Sequence, residues 1–182
     1  MDINLLISKK LAFETFLGQI FIILAVVYLL FFRKKYPHIL QFFSKYAILL
    51  AFLIALVATS GSLFYSQIMG FEPCELCWFQ RIFMYPLVII LGVALYKKRD
   101  DIIDYALSLS VIGFFISLYH NYIYYSNRGL KALCQFGGID AVSCVKRYVF
   151  ELGYITIPLM ALTAFTLIII FLVLRKVKFP AQ

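Results

Sequence analysis

Five apolar runs, each about as long as a membrane is thick, constrain this chain more than any other feature. Crossing about 30 Å of hydrocarbon takes roughly 20 helical residues. Such runs lie near 12–32 (LAFETFLGQIFIILAVVYLLF), 46–66 (YAILLAFLIALVATSGSLFYS), 76–96 (LCWFQRIFMYPLVIILGVALY), 102–122 (IIDYALSLSVIGFFISLYHNY) and 154–174 (YITIPLMALTAFTLIIIFLVL). They predict an all-α integral membrane protein. Composition agrees: 64% of residues are hydrophobic and 14% charged, against about 45–50% and about 25% in soluble domains. A soluble fold of 182 residues could not hide 19 Phe and 13 Tyr side chains. The first run is too long for a signal peptide, lacks an A-x-A-like cleavage site and ends in Arg33-Lys34-Lys35, so it reads as a retained helix. No internal repeat or low-complexity linker interrupts the pattern.

The net charge of +8 does not point to nucleic acid, because the basic residues cluster at the ends of the apolar runs and so set topology. With five spans, alternate connections share a side. One side collects ten: Arg33, Lys34, Lys35, Lys45, Lys97, Lys98, Arg99, Arg175, Lys176 and Lys178. The other collects seven: Lys9, Lys10, Arg81, Arg128, Lys131, Lys146 and Arg147. The ten lie close to span ends, where the positive-inside rule applies best. The expected topology has the N-terminus outside and the C-terminus in the cytoplasm.

That topology puts all four cysteines outside, where disulfides are permitted. Cys74 and Cys77 open the third span, and Cys134 and Cys144 lie in the loop between the fourth and fifth. Three readings compete. Static disulfides would be served poorly by Cys74-x-x-Cys77, whose short loop yields little entropic stabilisation. A zinc centre would want two to four residues within each ligand pair, but nine separate Cys134 from Cys144 and no histidine stands beside them in sequence; no metal is expected. A redox pair fits better. Pro73 reads as the first helical position, with both cysteines in the first turn, where the helix dipole and free N–H groups favour a thiolate. Arg81, four residues after Cys77, shares its helix face. An arginine at that depth needs a partner, which a thiolate and a polar cofactor head would supply; the plainer alternative is snorkelling to the interface.

The stretch Cys74-Glu-Leu-Cys-Trp-Phe-Gln-Arg81 resembles the C-x-x-C-W-x-Q-R motif of the DsbB family of disulfide bond formation proteins, nearest its short BdbC-type branch. Gly153–Phe165 (GYITIPLMALTAF) looks like the family's start of the last helix, and the loop carrying a second cysteine pair is a third match. The resemblance spans about residues 46–175. It implies a four-helix transmembrane bundle over residues 41–182, with an outer redox loop at about 123–153. An additional N-terminal transmembrane helix (1–40) has no counterpart in the family core. It also implies a bacterial cytoplasmic membrane location, a DsbA-like thioredoxin-fold partner outside, and a quinone, ubiquinone or menaquinone, as electron acceptor.

By the same resemblance Cys134 is attacked by the reduced partner. Cys144 carries the exchange inward through a Cys74–Cys144 disulfide, and Cys77 is left as the thiolate facing the quinone beside Arg81. A partner near −120 mV is oxidised downhill only with such an acceptor, since about 30 mV of a two-electron couple is about 1.4 kcal/mol.

Several residues carry further expectations. His120 is a candidate to hydrogen-bond the quinone or relay a proton, against an interfacial-belt role. Val145–Leu152 has the spacing of a short helix on the membrane surface, against an ordinary loop. His38 reads as solvated in an inside loop. Trp78 and Tyr85 read as packing, with Trp78 a possible wall of the quinone pocket, and Pro86 and Pro158 as helix kinks. Two other functions stay open: a quinone reductase like vitamin K epoxide reductase, whose C-x-x-C belongs in a late helix, and a non-enzymatic membrane protein with structural disulfides.

Overall fold

The computed structural model describes residues 3–31, 37–126 and 148–177. Among them are five helices long and apolar enough to cross a membrane: α1 (Ile3–Phe31), α2 (Pro37–Leu63), α3 (Glu75–Lys97), α4 (Ile103–Ser126) and α5 (Ile157–Lys176). The chain is an all-helical, multi-pass membrane protein. A π-helical turn, Phe64–Ile68, prolongs α2.

The helices outrun the apolar stretches that announce them. α1 begins at Ile3 rather than near 12, and α2 at Pro37 rather than near 46. Helical hydrogen bonding continues past the ends of the apolar runs through Lys9, Lys10 and Lys45, whose long side chains can snorkel. His38 therefore belongs to the backbone of α2 and not to a loop. Pro158 sits at the start of α5, behind the Thr156 N-cap, whose hydroxyl accepts from Leu159 N at 3.4 Å. It begins that helix instead of kinking it, because a first-turn residue needs no intrahelical N–H donor. Pro86 lies inside α3.

α2, α3, α4 and α5 pack in a ring, each against its sequence neighbour, with α5 closing on α2. In hydrocarbon, apolar burial does not drive helices together; close packing of small residues does. Ala47, Ala51 and Ala55, four residues apart on α2, are each fully buried. On α4 the stripe Ala106, Ser110, Gly113 and Ser117 admits the ring of Phe165 from α5. Leu87, Leu91, Ile168 and Leu172 fill the centre. At the end of the bundle bearing Lys97 and Lys176, Arg175 grips Asp100 with two hydrogen bonds of 3.1 and 3.0 Å and donates to the Ser44 carbonyl at 3.3 Å. The opposite end, the cysteine end, carries Cys74 and Cys77.

α1 stands outside the ring, packed on α5. Gly18 lets it approach Leu167 and Thr163 of α5, which a Cβ at residue 18 would meet at 3.0 and 3.2 Å. Tyr154 donates to Gln19 Oε1 at 2.7 Å, and Ser8 shares a buried hydrogen bond with Tyr65 at 3.3 Å.

Before α5, Tyr148–Leu152 is not helical. It bends at Tyr148 and runs irregularly to Glu151, which bridges to Ile155 across a tight turn. Leu152 (φ 52°) and Gly153 (φ 78°) are both left-handed there, which ends any helical path; only glycine accepts that region without steric cost. The expected surface helix over 145–152 is thus absent from its described part, and residues 145–147 lie outside the described residues.

Candidate active site

Cys74 is the N-cap of α3, with extended backbone (φ −69°, ψ 170°). Pro73 therefore precedes the cap rather than occupying the first helical position, which belongs to Glu75. The correction moves the cysteines by one place: Cys74 caps the helix and Cys77 is the third helical residue. Trp78 N donates to the Cys74 carbonyl at 3.1 Å, closing the first turn and bringing the two sulfurs to 3.0 Å. A disulfide needs about 2.05 Å, so the two sulfurs stand about 1 Å beyond bonding distance. Cys74 is buried and Cys77 partly so.

α4 contributes a residue the local motif does not contain. His120 is 1% exposed, and its Nε2 lies 3.8 Å from Cys74 Sγ. The Gln80 side-chain amide nitrogen, itself buried, is 3.1 Å from His120 Nδ1. An amide N–H donating to Nδ1 makes that atom the acceptor and leaves the ring proton on Nε2, facing sulfur. His120 therefore addresses Cys74 directly, with Gln80 fixing its tautomer.

Arg81 lies six residues past Glu75, about 9 Å down α3 at 1.5 Å per residue. Its Nη2 donates to the Ser62 carbonyl of α2 at 3.2 Å, and Trp78 covers the guanidinium at 5.3 Å. Tyr85 donates to Ser62 Oγ at 3.3 Å. The partners that hold the arginine are thus a carbonyl and an aromatic face, not the free interface that snorkelling requires. Its Nε is buried and has no partner among the described residues.

These groups line one cavity of about 360 Å³, within the range of small-molecule sites. Cys74, Cys77, Gln80, Arg81 and His120 stand at its cysteine end, and Leu53, Met84, Phe165 and Leu167 form its depth. Along α5 the lining runs from Ile157 to Leu167, ten residues, or about 15 Å. An apolar slot with one unsatisfied cationic donor at its thiol end fits a lipid-soluble molecule carrying an acceptor oxygen. Trp78, by contrast, is not part of the lining; it shields Arg81 from outside.

Of the candidate residues, Cys74, Cys77, Arg81 and His120 therefore meet at one site, whereas Cys134 and Cys144 lie outside the described residues. Sequence reasoning gave Ser62 and Gln80 no role. A signal existed for each: Ser62 belongs to the polar interruption ATSGS in an otherwise apolar span, and Gln80 is an amide at membrane depth, where an unpartnered polar group is costly.

The sequence profile described as disulfide bond formation protein DsbB matches residues 44–175. Disulfide bond formation protein C of Bacillus subtilis (strain 168) is 44% identical over 126 residues, covering 69% of this chain and 89% of its own. A probable disulfide formation protein C of Bacillus cereus is 43% identical over 135 residues, 72% of this chain and 94% of its own. The SPbeta prophage-derived disulfide bond formation protein B of Bacillus subtilis is 47% identical over 120 residues, 66% of this chain and 78% of its own. No solved structure matches the chain.

Proposed function

The chain belongs to the DsbB family of disulfide bond formation proteins, and on that premise we propose that it is a thiol:quinone oxidoreductase. It reoxidises a DsbA-like thioredoxin-fold protein, supports disulfide formation in exported proteins and sits in the bacterial cytoplasmic membrane. The cysteine end faces the extracytoplasmic side, with the N-terminus outside, as the charge bias favours. Residues 41–182 form the redox unit and 1–40 an added helix. The observation that carries the reading is the shared cavity: a buried dithiol, a fixed cation and a histidine at one end of an apolar slot.

The reduced partner's dithiol exchanges with Cys134–Cys144. A Cys74–Cys144 disulfide then links the loop to the α3 pair and frees the Cys77 sulfur as an anion. The N-terminal amides of α3 and the nearby guanidinium both favour that charge. When Cys74 later leaves as a thiolate, the His120 Nε2–H donates to it, held in register by Gln80. Arg81, anchored on Ser62, keeps its Nε–H available for an acceptor oxygen. A bound quinone supplies a two-electron, two-proton sink. Each cycle removes two electrons and two protons from the partner dithiol and delivers both to that sink.

The test is trapping. A reduced thioredoxin-fold protein whose second active-site cysteine is replaced by alanine should attack the Cys134–Cys144 disulfide, release Cys144 as a thiolate and stay joined to Cys134, because no partner thiol remains to resolve the mixed disulfide. Trapping through Cys77 instead would overturn the assigned order.

A further inference from the structure

We propose that α1 is the wall that closes the acceptor slot at the α2–α5 seam, and that Leu11 helps set which lipid-soluble quinone seats beside Cys77. The inference rests on the quinone reading above.

Three observations carry it. Leu11, Glu14 and Thr15 line the same cavity as Cys77 and Arg81. Leu11 also lies against α2 at Gly61, where a Cβ would meet both of its methyl carbons at 3.4 Å. Gly61 precedes Ser62, whose carbonyl holds Arg81, so the seat of α1 is one residue from the arginine's anchor.

Secondly, α1 is held by few but specific contacts. Its most apolar window is 6% buried, against 28–44% for the other four spans. Lipid would serve most of its surface as well as protein does, so direct polar bonds and close backbone approach must hold it. Its polar bonds and closest backbone approaches fall between residues 8 and 19, at the level of the slot: Ser8 to Tyr65, Leu11 to Gly61, Gly18 to Leu167, and Gln19 to Thr163 and Tyr154; one step further along, Phe21 packs on Phe171 and Phe43. A helix serving only as an anchor has no need for its polar bonds to gather beside the cavity.

Thirdly, the family profile begins at residue 44, so α1 is an addition to the matched unit. The slot, about 15 Å deep by the length of α5 that lines it, is longer than a single ring. The apolar tail of an acceptor would extend along it, past Leu11. Side-chain volume at residue 11 then acts on acceptor binding and not on thiol exchange.

The test uses the full chain in lipid vesicles, with reduced thioredoxin-fold partner and quinones of short and long tail. Leu11→Trp should raise the quinone KM at least fivefold, with kcat within twofold. Leu11→Ala should change the long-tail to short-tail KM ratio at least threefold. It is a mild truncation that keeps the test open if the tryptophan variant does not fold. Leu24→Trp, on the lipid-facing side of α1 at 61% exposure, should leave both constants unchanged. Without quinone, every variant should oxidise as many equivalents of partner dithiol as the parent, at most two, one for each of the two cysteine pairs. If the parent reduces quinone and both Leu11 variants keep all KM values within twofold, the wall role of α1 is wrong. If the parent forms no quinol, the quinone reading falls and this inference with it.

Discussion

Replacing Gly113 by alanine should destabilise this protein, although the same change usually strengthens a helix. The Cβ at position 113 would lie 2.3 Å from Cε1 and Cζ of Phe165 and 2.9 Å from its Cδ1. Phe165 is fully buried. To reach even a tight 3.4 Å the ring must move by about 3.4 − 2.3 = 1.1 Å, within an interior packed as densely as an organic crystal. Overpacking of this kind costs about 1–3 kcal/mol. The opposing gain from helix propensity is at most about 1 kcal/mol, and less if the separated helices stay helical in the bilayer. The net loss is about 1–2 kcal/mol, or a five- to thirtyfold fall in the folding constant at tenfold per 1.4 kcal/mol. Gly92→Ala is the control: its Cβ would meet Phe52 at 3.4 and 3.9 Å, so it should be neutral or slightly stabilising. The assay is reversible unfolding of the full chain in bicelles. Gly113→Ala should lie below the parent, Gly92→Ala should not, and Gly113→Ala with Phe165→Leu should recover part of the loss. A Gly113→Ala chain as stable as the parent would refute the packing argument.

Other consequences can be checked the same way. Asn121 donates to the Ser117 carbonyl at 2.8 Å and to the Pro158 carbonyl at 2.9 Å, tying α4 to α5; Asn121→Ala should cost about 0.5–2 kcal/mol in the bicelle assay. Gln80→Leu should leave partner attack intact but slow the step that releases Cys74 and shift its pH profile, since His120 loses the group that fixes its tautomer; stopped-flow thiol exchange across pH reads this. At the opposite end, the hydrogen bond from Arg99 holds the Asp101 carboxyl below its ordinary 3.8. A value lower when folded means stabilisation that is present above 3.8 and lost as pH falls through the folded value, so Asp101→Asn should flatten the acid limb of the stability curve.

Much of this architecture is legible in the sequence, because a bilayer leaves a chain few choices. Five apolar runs become five helices, and the stretch from Cys74 to Arg81 comes out as about two helical turns with its charge below its thiols. Helix ends were less legible. Polar residues such as Lys9 and Lys45 flank the apolar runs but remain helical, and hydropathy is blind to them. The one-residue shift at Pro73 reflects an extended Cys74, a backbone detail that composition does not encode. The pairing of His120 with Cys74 joins residues 46 apart in sequence and is set by how α3 meets α4. Sequence linked His120 to the acceptor; the geometry links it first to sulfur. The turn at Leu152 and Gly153 overrode a helical periodicity that only a few residues carried.

The most direct measurement is electron stoichiometry in the purified chain. Reduced thioredoxin-fold protein and excess quinone should yield one quinol for each partner disulfide formed. A Cys77→Ser chain should form no quinol while still capturing the partner through Cys134. Quinol formation that persists without the residue 77 sulfur would contradict the account.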